Sequence, residues 1–191
     1  MIRHIRNKQM KPYQRVASKY AKRLEIANPL RDEKIKYTVK GNVGSFYQLV
    51  IFHGRKRIGQ IQGGLNEKKL NPIMGQDISQ VESLKCSNDV QKLLNKYPHL
   101  VQNDWKDRPY APILSVYNTA IKDEYKGKKI GTDMYLTFAR TYWNKVGQPF
   151  IFVPDGCMET GSTSNDAKRV WASLGRKYPS SGLCLAILKR P

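Results

Sequence analysis

The chain has 191 residues, with 34 Lys and Arg against 15 Asp and Glu, and its formal charge of +19 favours acidic partners: an acidic protein, DNA or RNA, or a nucleoprotein assembly. A hydrophobic share of 40% with 10% aromatics is enough for one core and excludes wholesale disorder. No run approaches the roughly 18 consecutive apolar residues of a membrane span, and the basic start Met1–Lys8 leads into no apolar stretch; the sequence therefore predicts no membrane partner, no secretory signal, and a cytoplasmic or nucleoid-associated protein. Cys86, Cys157 and Cys184 are odd in number and widely spaced, and His4, His53 and His99 cluster with none of them. That pattern predicts reduced thiols and no metal.

Residues 1–34 read as a basic helical arm. Arg3, Arg6, Lys8, Lys11, Arg15, Lys19, Lys22 and Arg23 occur there before any acidic residue, and this run is the candidate nucleic-acid contact. Tyr13, Val16, Ala17, Tyr20, Ala21 and Leu24 recur at three- and four-residue steps, so a helix would carry an apolar stripe opposite the basic face and end near Asn28–Pro29. The solvated-surface alternative for the basic face stays open.

Residues 35–191 read as the folded domain. Ile35–Val39, Phe46–Phe52 and Arg57–Gln62 have strand composition and are separated by Gly41–Gly44 and by a turn at His53–Lys56, which predicts an antiparallel meander. Residues 65–110 read as a helical insertion, with Ile78, Val81 and Leu84 marking one short amphipathic helix and Val90, Leu93, Leu94 and Tyr97 a second that ends at Pro98. Trp105, Arg108, Pro109 and Tyr110 read as a loop that anchors itself to the domain, or whose Arg and aromatics stack on a base.

Beyond the insertion the order is strand, helix, strand, helix, strand: Pro112–Ala120, Ile130–Val146, Phe150–Val153, Ser164–Leu174 and Gly182–Leu188. The fold class is α/β in the α+β sense, a mixed and mostly antiparallel sheet flanked by helices. The turn Tyr125–Thr132 places Lys126, Gly127, Lys128, Lys129, Ile130 and Gly131 at a helix start, where backbone amides and the helix dipole stabilise an anion and glycines admit a phosphate close to the backbone. The spacing is neither that of a Walker A loop nor that of a dinucleotide-binding turn.

Lys126–Gly131 resembles the signature of the GNAT superfamily of acyl-CoA N-acyltransferases, in which Arg or Gln is followed by two residues, Gly, one residue, and Gly or Ala. Lys126 stands for Arg or Gln, Lys129 replaces the first signature glycine, and Gly131 matches the last position. Ser164, Ala167, Trp171 and Gly175 fall in step with the family's later helix. There Trp171 replaces the Tyr that commonly protonates the leaving thiolate.

The resemblance covers residues 35–190 and is specific over 112–175. It implies an acetyl-CoA-dependent N-acetyltransferase acting on an amine: a protein Lys or N-terminus, or an RNA or small-molecule amine, on an acidic or nucleic-acid-associated target. It also implies that Val116, Asn118 and Ala120 face the pantetheine arm, that Lys126, Gly127, Lys128, Lys129, Ile130, Gly131 and Thr132 hold the pyrophosphate of acetyl-CoA, and that Ser164 and Trp171 complete the site. The alternative is an inactive GNAT-fold protein that binds nucleic acid or a protein partner through its basic surface.

Acetyl transfer requires a neutral amine and a proton for the thiolate. Asp155 or Glu159, just beyond the strand 150–153, are the candidate bases, and Tyr117 or Tyr178 the candidate proton donors. Each has a plainer reading as a loop, cap or packing residue. Cys157 has no His near it in sequence and reads as a small buried residue rather than a nucleophile.

Overall fold

The computed structural model describes residues 35–42, 46–64, 76–77, 84–103, 109–157 and 161–191. The basic arm, with Arg3, Arg6, Lys8, Lys11, Arg15, Lys19, Lys22 and Arg23, lies outside the described residues, as do Glu159 and the first helix expected in the insertion, apart from Leu84.

A seven-stranded sheet organises the domain. Strands β1 (Ile35–Asn42), β2 (Phe46–His53) and β3 (Lys56–Gly64) form the expected antiparallel meander. β3 then pairs with β7 (Ile113–Ile121), which pairs in parallel with β8 (Phe150–Val153). β10 (Cys184–Ile187) and the short β9 (Ser180–Ser181) close the order β1-β2-β3-β7-β8-β10-β9. Helix α2 (Ile130–Val146) makes the crossover between the parallel strands, as β7 and β8 require, and helix α3 (Asn165–Gly175) follows β8.

The insertion departs from an all-helical expectation. Its second predicted helix is present as α1 (Ser87–Lys96), with Val90, Leu93 and Leu94 buried. Beside it β4 (Gln76–Asp77), β5 (Gln102–Asn103) and β6 (Pro109–Ala111) form a separate three-stranded sheet. Tyr110 therefore sits in a strand rather than a loop. It is 6% exposed, and its hydroxyl donates to Gln102 Oε1 at 2.5 Å, which is the anchoring arrangement; Trp105 and Arg108 lie outside the described residues.

The pleat of the central strands sends successive side chains to opposite faces. Leu114, Phe150, Phe152, Leu185 and Ile187 join the core under α2 and α3, while Ile113, Ile151, Val153, Cys184 and Ala186 join a second core with α1. Strands β7, β8 and β10 are thus covered on both faces, and so Phe150–Val153 is a continuous apolar run rather than an alternating one. Burying a side chain such as Phe152 contributes about 1.5–3 kcal/mol.

The two cores also bring the cysteines together, which overturns the expectation of three unclustered, reduced thiols. Cys86 and Cys157 form a disulfide across a sequence separation of 71, and Cys184 Sγ lies 3.7 Å from Cys157 Sγ. Spacing along the chain could not show this, because the cluster is made by β10 pairing with β8 and by α1 packing beneath both.

Candidate functional site

β7 and β8 pair only at Ile113↔Ile151, Leu114↔Phe152 and Ser115↔Val153. Two local features stop the pairing there. Pro154 follows Val153 and has no N–H for a further ladder bond. On β7, Val116 pairs with Gly63 and Asn118 with Gln62, so Tyr117 is the extra residue of a β-bulge, a device that bends a strand and increases its twist. β7 remains paired with β3 as far as Ile121. Along its other edge, from Val116 to Ile121, β8 offers no partner among the described residues.

The divergence opens a cleft between β7, α2 and the start of α3. It consists of two adjoining recesses, of about 310 Å³ and about 450 Å³, which share Thr119, Tyr135, Ser164 and Ala167 in their walls. The smaller recess is lined by Val116, Tyr117, Asn118, Asp155 and Trp171, with Ser162 and Thr163 at its side. The larger is lined by Ala120, Lys126, Gly127, Lys129, Gly131 and Thr132, with Asp166 and Arg169 across from them. Tyr117 and Asp155 therefore meet most of the cofactor residues named from the sequence in one cleft. Three residues fall elsewhere. Ile130 is buried in the core, Lys128 lies over the Tyr125 ring at 5.5 Å, and Tyr178 packs against the main core.

The turn into α2 is built for amides to converge. Gly127 has φ +73° and Lys129 φ +63°, and Lys129 is the one non-glycine with positive φ among the described residues. A side chain in that left-handed conformation costs of order 1–3 kcal/mol, so the backbone here is held by its surroundings. The turn is fixed by Lys126 N–H donating to Asp123 O at 3.0 Å and Lys122 N–H to Ile58 O at 2.9 Å. His53 Nδ1 and the Tyr125 hydroxyl add a hydrogen bond at 2.8 Å. The first intrahelical bond runs from Asp133 N–H to Lys129 O, which leaves the amides of Ile130, Gly131 and Thr132 ahead of it. Gly131 also sets the distance between helices, since a Cβ there would stand 3.3 Å from Val170 Cγ2 of α3.

Charges around the larger recess are mixed. Lys126 Nζ lies 2.8 Å from Asp123 and 3.4 Å from Asp166; the hydrogen bond to Asp123 is the main reason its pKa is raised. Asp166 is thus a carboxylate at the mouth of an otherwise cationic recess. α3 begins beside it, where Ser164 Oγ accepts from Ala167 N–H at 3.2 Å, an N-cap of the usual kind.

The smaller recess holds Asp155 and shares Tyr135 with the larger one. Burial raises the Asp155 carboxyl above its ordinary range, against a backbone hydrogen bond at Ser162 and the charge of Lys85. Tyr135, from α2, shares a hydrogen bond at 3.3 Å with Thr119 Oγ1 and meets the Trp171 ring edge-on at 5.2 Å. Burial raises its phenol pKa, and the hydrogen bonds it shares with Thr119 and Trp171 act in the opposite direction. Tyr135 was not among the residues marked in the sequence, where it is one position of the helix Ile130–Val146 with no motif of its own. Leu136 is only partly buried, whereas Tyr135 is 2% exposed. Buried Trp171, 1% exposed, wedges between Tyr135 and Phe152.

Compared with protein-family profiles, with curated proteins and with solved structures, the chain has no match.

Proposed function

We propose that the cleft binds acetyl-CoA and that the protein is a GNAT-like N-acetyltransferase. The carrying observation is the parting of β7 from β8 after Ser115, which turns Val116–Ile121 into an open backbone edge leading to the amides at the start of α2. That edge suits the amide-rich pantetheine arm, and the α2 start suits a pyrophosphate. Acetyl-CoA would supply a thioester, an acyl group activated for attack by an amine.

The chain's own residues supply the rest of the chemistry. Backbone N–H groups of the open edge polarise the carbonyl and stabilise developing negative charge. Asp155, with its pKa raised by burial, takes a proton from the incoming ammonium, directly or through water; a base nearer the working pH is a better match for that task. Tyr135 keeps its proton through burial and donates it to the departing thiolate. In this reading Tyr135 covers from α2 the role left open by Trp171 on α3, and Tyr117 forms the bulge that spreads the strands.

Lys126, Lys129 and the +19 charge favour an acidic or nucleic-acid-associated acceptor. The same charge, with Asp166 occupying Lys126, supports a second reading: an inactive scaffold that binds nucleic acid through its basic surface. Calorimetric titration with acetyl-CoA, with ATP as a polyanion control, separates the two. Saturable binding that prefers acetyl-CoA supports the acyltransferase. Absent binding, or equal binding of ATP, removes it and leaves the scaffold, whose affinity for nucleic acid should fall steeply with salt.

A further inference from the structure

The three cysteines come from the start of α1, the turn after β8 and the start of β10, and their sulfurs lie within 4.8 Å of one another. Their surroundings differ. Cys86 is half-buried and is the N-cap residue of α1. Cys157 is 3% exposed and Cys184 is fully buried. Cys157 ends the short turn Asp155–Cys157, whose first residue lines the cleft. The turn is held to the α1 side by the disulfide and by Lys85 N–H donating to Cys157 O at 2.9 Å.

We propose that Cys86–Cys157 is a reversible thiol–disulfide latch, opened by low-molecular-weight thiols and closed by low-molecular-weight disulfides, which fixes the Asp155 wall of the cleft to α1. It goes beyond the acetyltransferase reading and holds whether or not the cleft takes acetyl-CoA. In opening, a small thiolate attacks Cys86 Sγ, the half-buried sulfur; the S–S bond breaks and Cys157 leaves, taking up a proton. A second small thiolate attacks the mixed disulfide at the small-molecule sulfur and releases Cys86. The balance is two small thiols oxidised to one small disulfide and one protein disulfide reduced to two thiols. Closing is the reverse.

Cys184, although 3.7 Å from Cys157, stays outside the exchange. Burial, with the charge of Asp89, pushes its thiol pKa up to about 12, and a protonated thiol is a poor nucleophile. The site therefore keeps one pairing out of three, with the accessible sulfur at Cys86. Opening the latch leaves the Asp155–Cys157 turn tied to the α1 side by the Lys85 hydrogen bond.

The test uses the full chain equilibrated with either oxidised glutathione or excess dithiothreitol. Thiols are alkylated after denaturation and mapped by mass spectrometry, and amide exchange is followed over 150–157. The expected result is one free thiol, Cys184, in the oxidised form and three in the reduced form, with exchange over 155–157 at least about fivefold faster after reduction. Cys184→Ser should leave the oxidised form with no free thiol and the same exchange contrast. Cys86→Ser, altered at the half-buried member, should exchange like the reduced form under both conditions. The latch is overturned by three free thiols in oxidised glutathione, by a pair that includes Cys184, by equal exchange in the two states, or by stoichiometric zinc held by the three sulfurs.

Discussion

The two ends of β7 belong to one strand and one sheet, yet they do opposite jobs. From Ile113 to Ser115 the strand is buried, paired with β8 and packed between two cores, and at Ser115 it is paired with β3 as well. From Tyr117 to Ile121 its residues are exposed or half-buried, and the ladder continues on the β3 side alone. A single bulge and the proline after β8 separate the regimes. The lesson is that an open edge can be made inside a sheet, with no loop supplying it, by ending one strand early and bending its neighbour. The closed end holds the open end in place.

The largest effect expected on this contrast is in stability. Leu114→Ala, at a fully buried position, should cost about 2–5 kcal/mol. Asn118→Ala, four residues along and exposed, should stay within about 0.5 kcal/mol. Comparable losses in urea unfolding would mean that the open end is as structural as the closed one. Next is occupancy. Ala120→Trp, exposed in the wall of the larger recess, should leave the melting temperature nearly unchanged and weaken acetyl-CoA binding at least about 100-fold, or roughly 2.7 kcal/mol. Gly131 serves this purpose less well, because any side chain there presses on Val170. Unaltered binding by the Ala120 variant would move the cofactor off the open edge.

Chemistry at the smaller recess should follow a finer split. Tyr135→Phe should keep acetyl-CoA affinity and reduce kcat at least about tenfold, below the full 10²–10⁴ attributed to general acid–base catalysis because water can replace a lost proton donor. A change in affinity with kcat intact would make Tyr135 a packing residue. Lys129→Gly should raise stability by about 1 kcal/mol through relief of its left-handed conformation, while binding of the phosphates weakens with the lost charge. A destabilised variant would show that the Lys129 side chain contributes more than its conformation costs.

The smallest effect is at Asp155. Burial raises its folded-state pKa, so the folded protein holds the proton more tightly than the unfolded chain, and ionisation works against folding. That cost is absent below the unfolded pKa and fully present above the folded one. Asp155→Asn should therefore be slightly more stable than the parent at pH 7 and equal to it near pH 3, while losing transfer activity. Equal stability at both values would place the carboxyl in open solvent.

Much of this architecture was legible in the sequence. Helix α2 and strand β8 fall at the residues their patterns mark, Ile130–Val146 and Phe150–Val153, because local periodicity and breakers decide them. Gly127 and Lys129 were legible as a turn, though not the positive φ of Lys129. The cleft itself was not legible. It depends on where β8 stops relative to β7, a pairing between residues on either side of a whole helix, and on the register slip at Tyr117. The cysteine cluster escaped for the same reason, since three well-separated positions acquire meaning only after β10 enters beside β8. Tyr135 was hidden differently, as the α2 stripe is wider than a minimal helical pattern allows.

The pairing of β7 also divides the sheet by the range of its contacts along the chain. The β1-β2-β3 meander joins neighbours through short turns, so its contacts form at little loop-closure entropy. The β3–β7 contacts reach across the whole insertion and the β7–β8 contacts across α2, so both cost more loop-closure entropy than the meander. Both edges of β7 are thus closed by long-range contacts, the β8 edge over three residues only. The strand that walls the cleft is held entirely by distant parts of the chain, whereas the meander beside it is local.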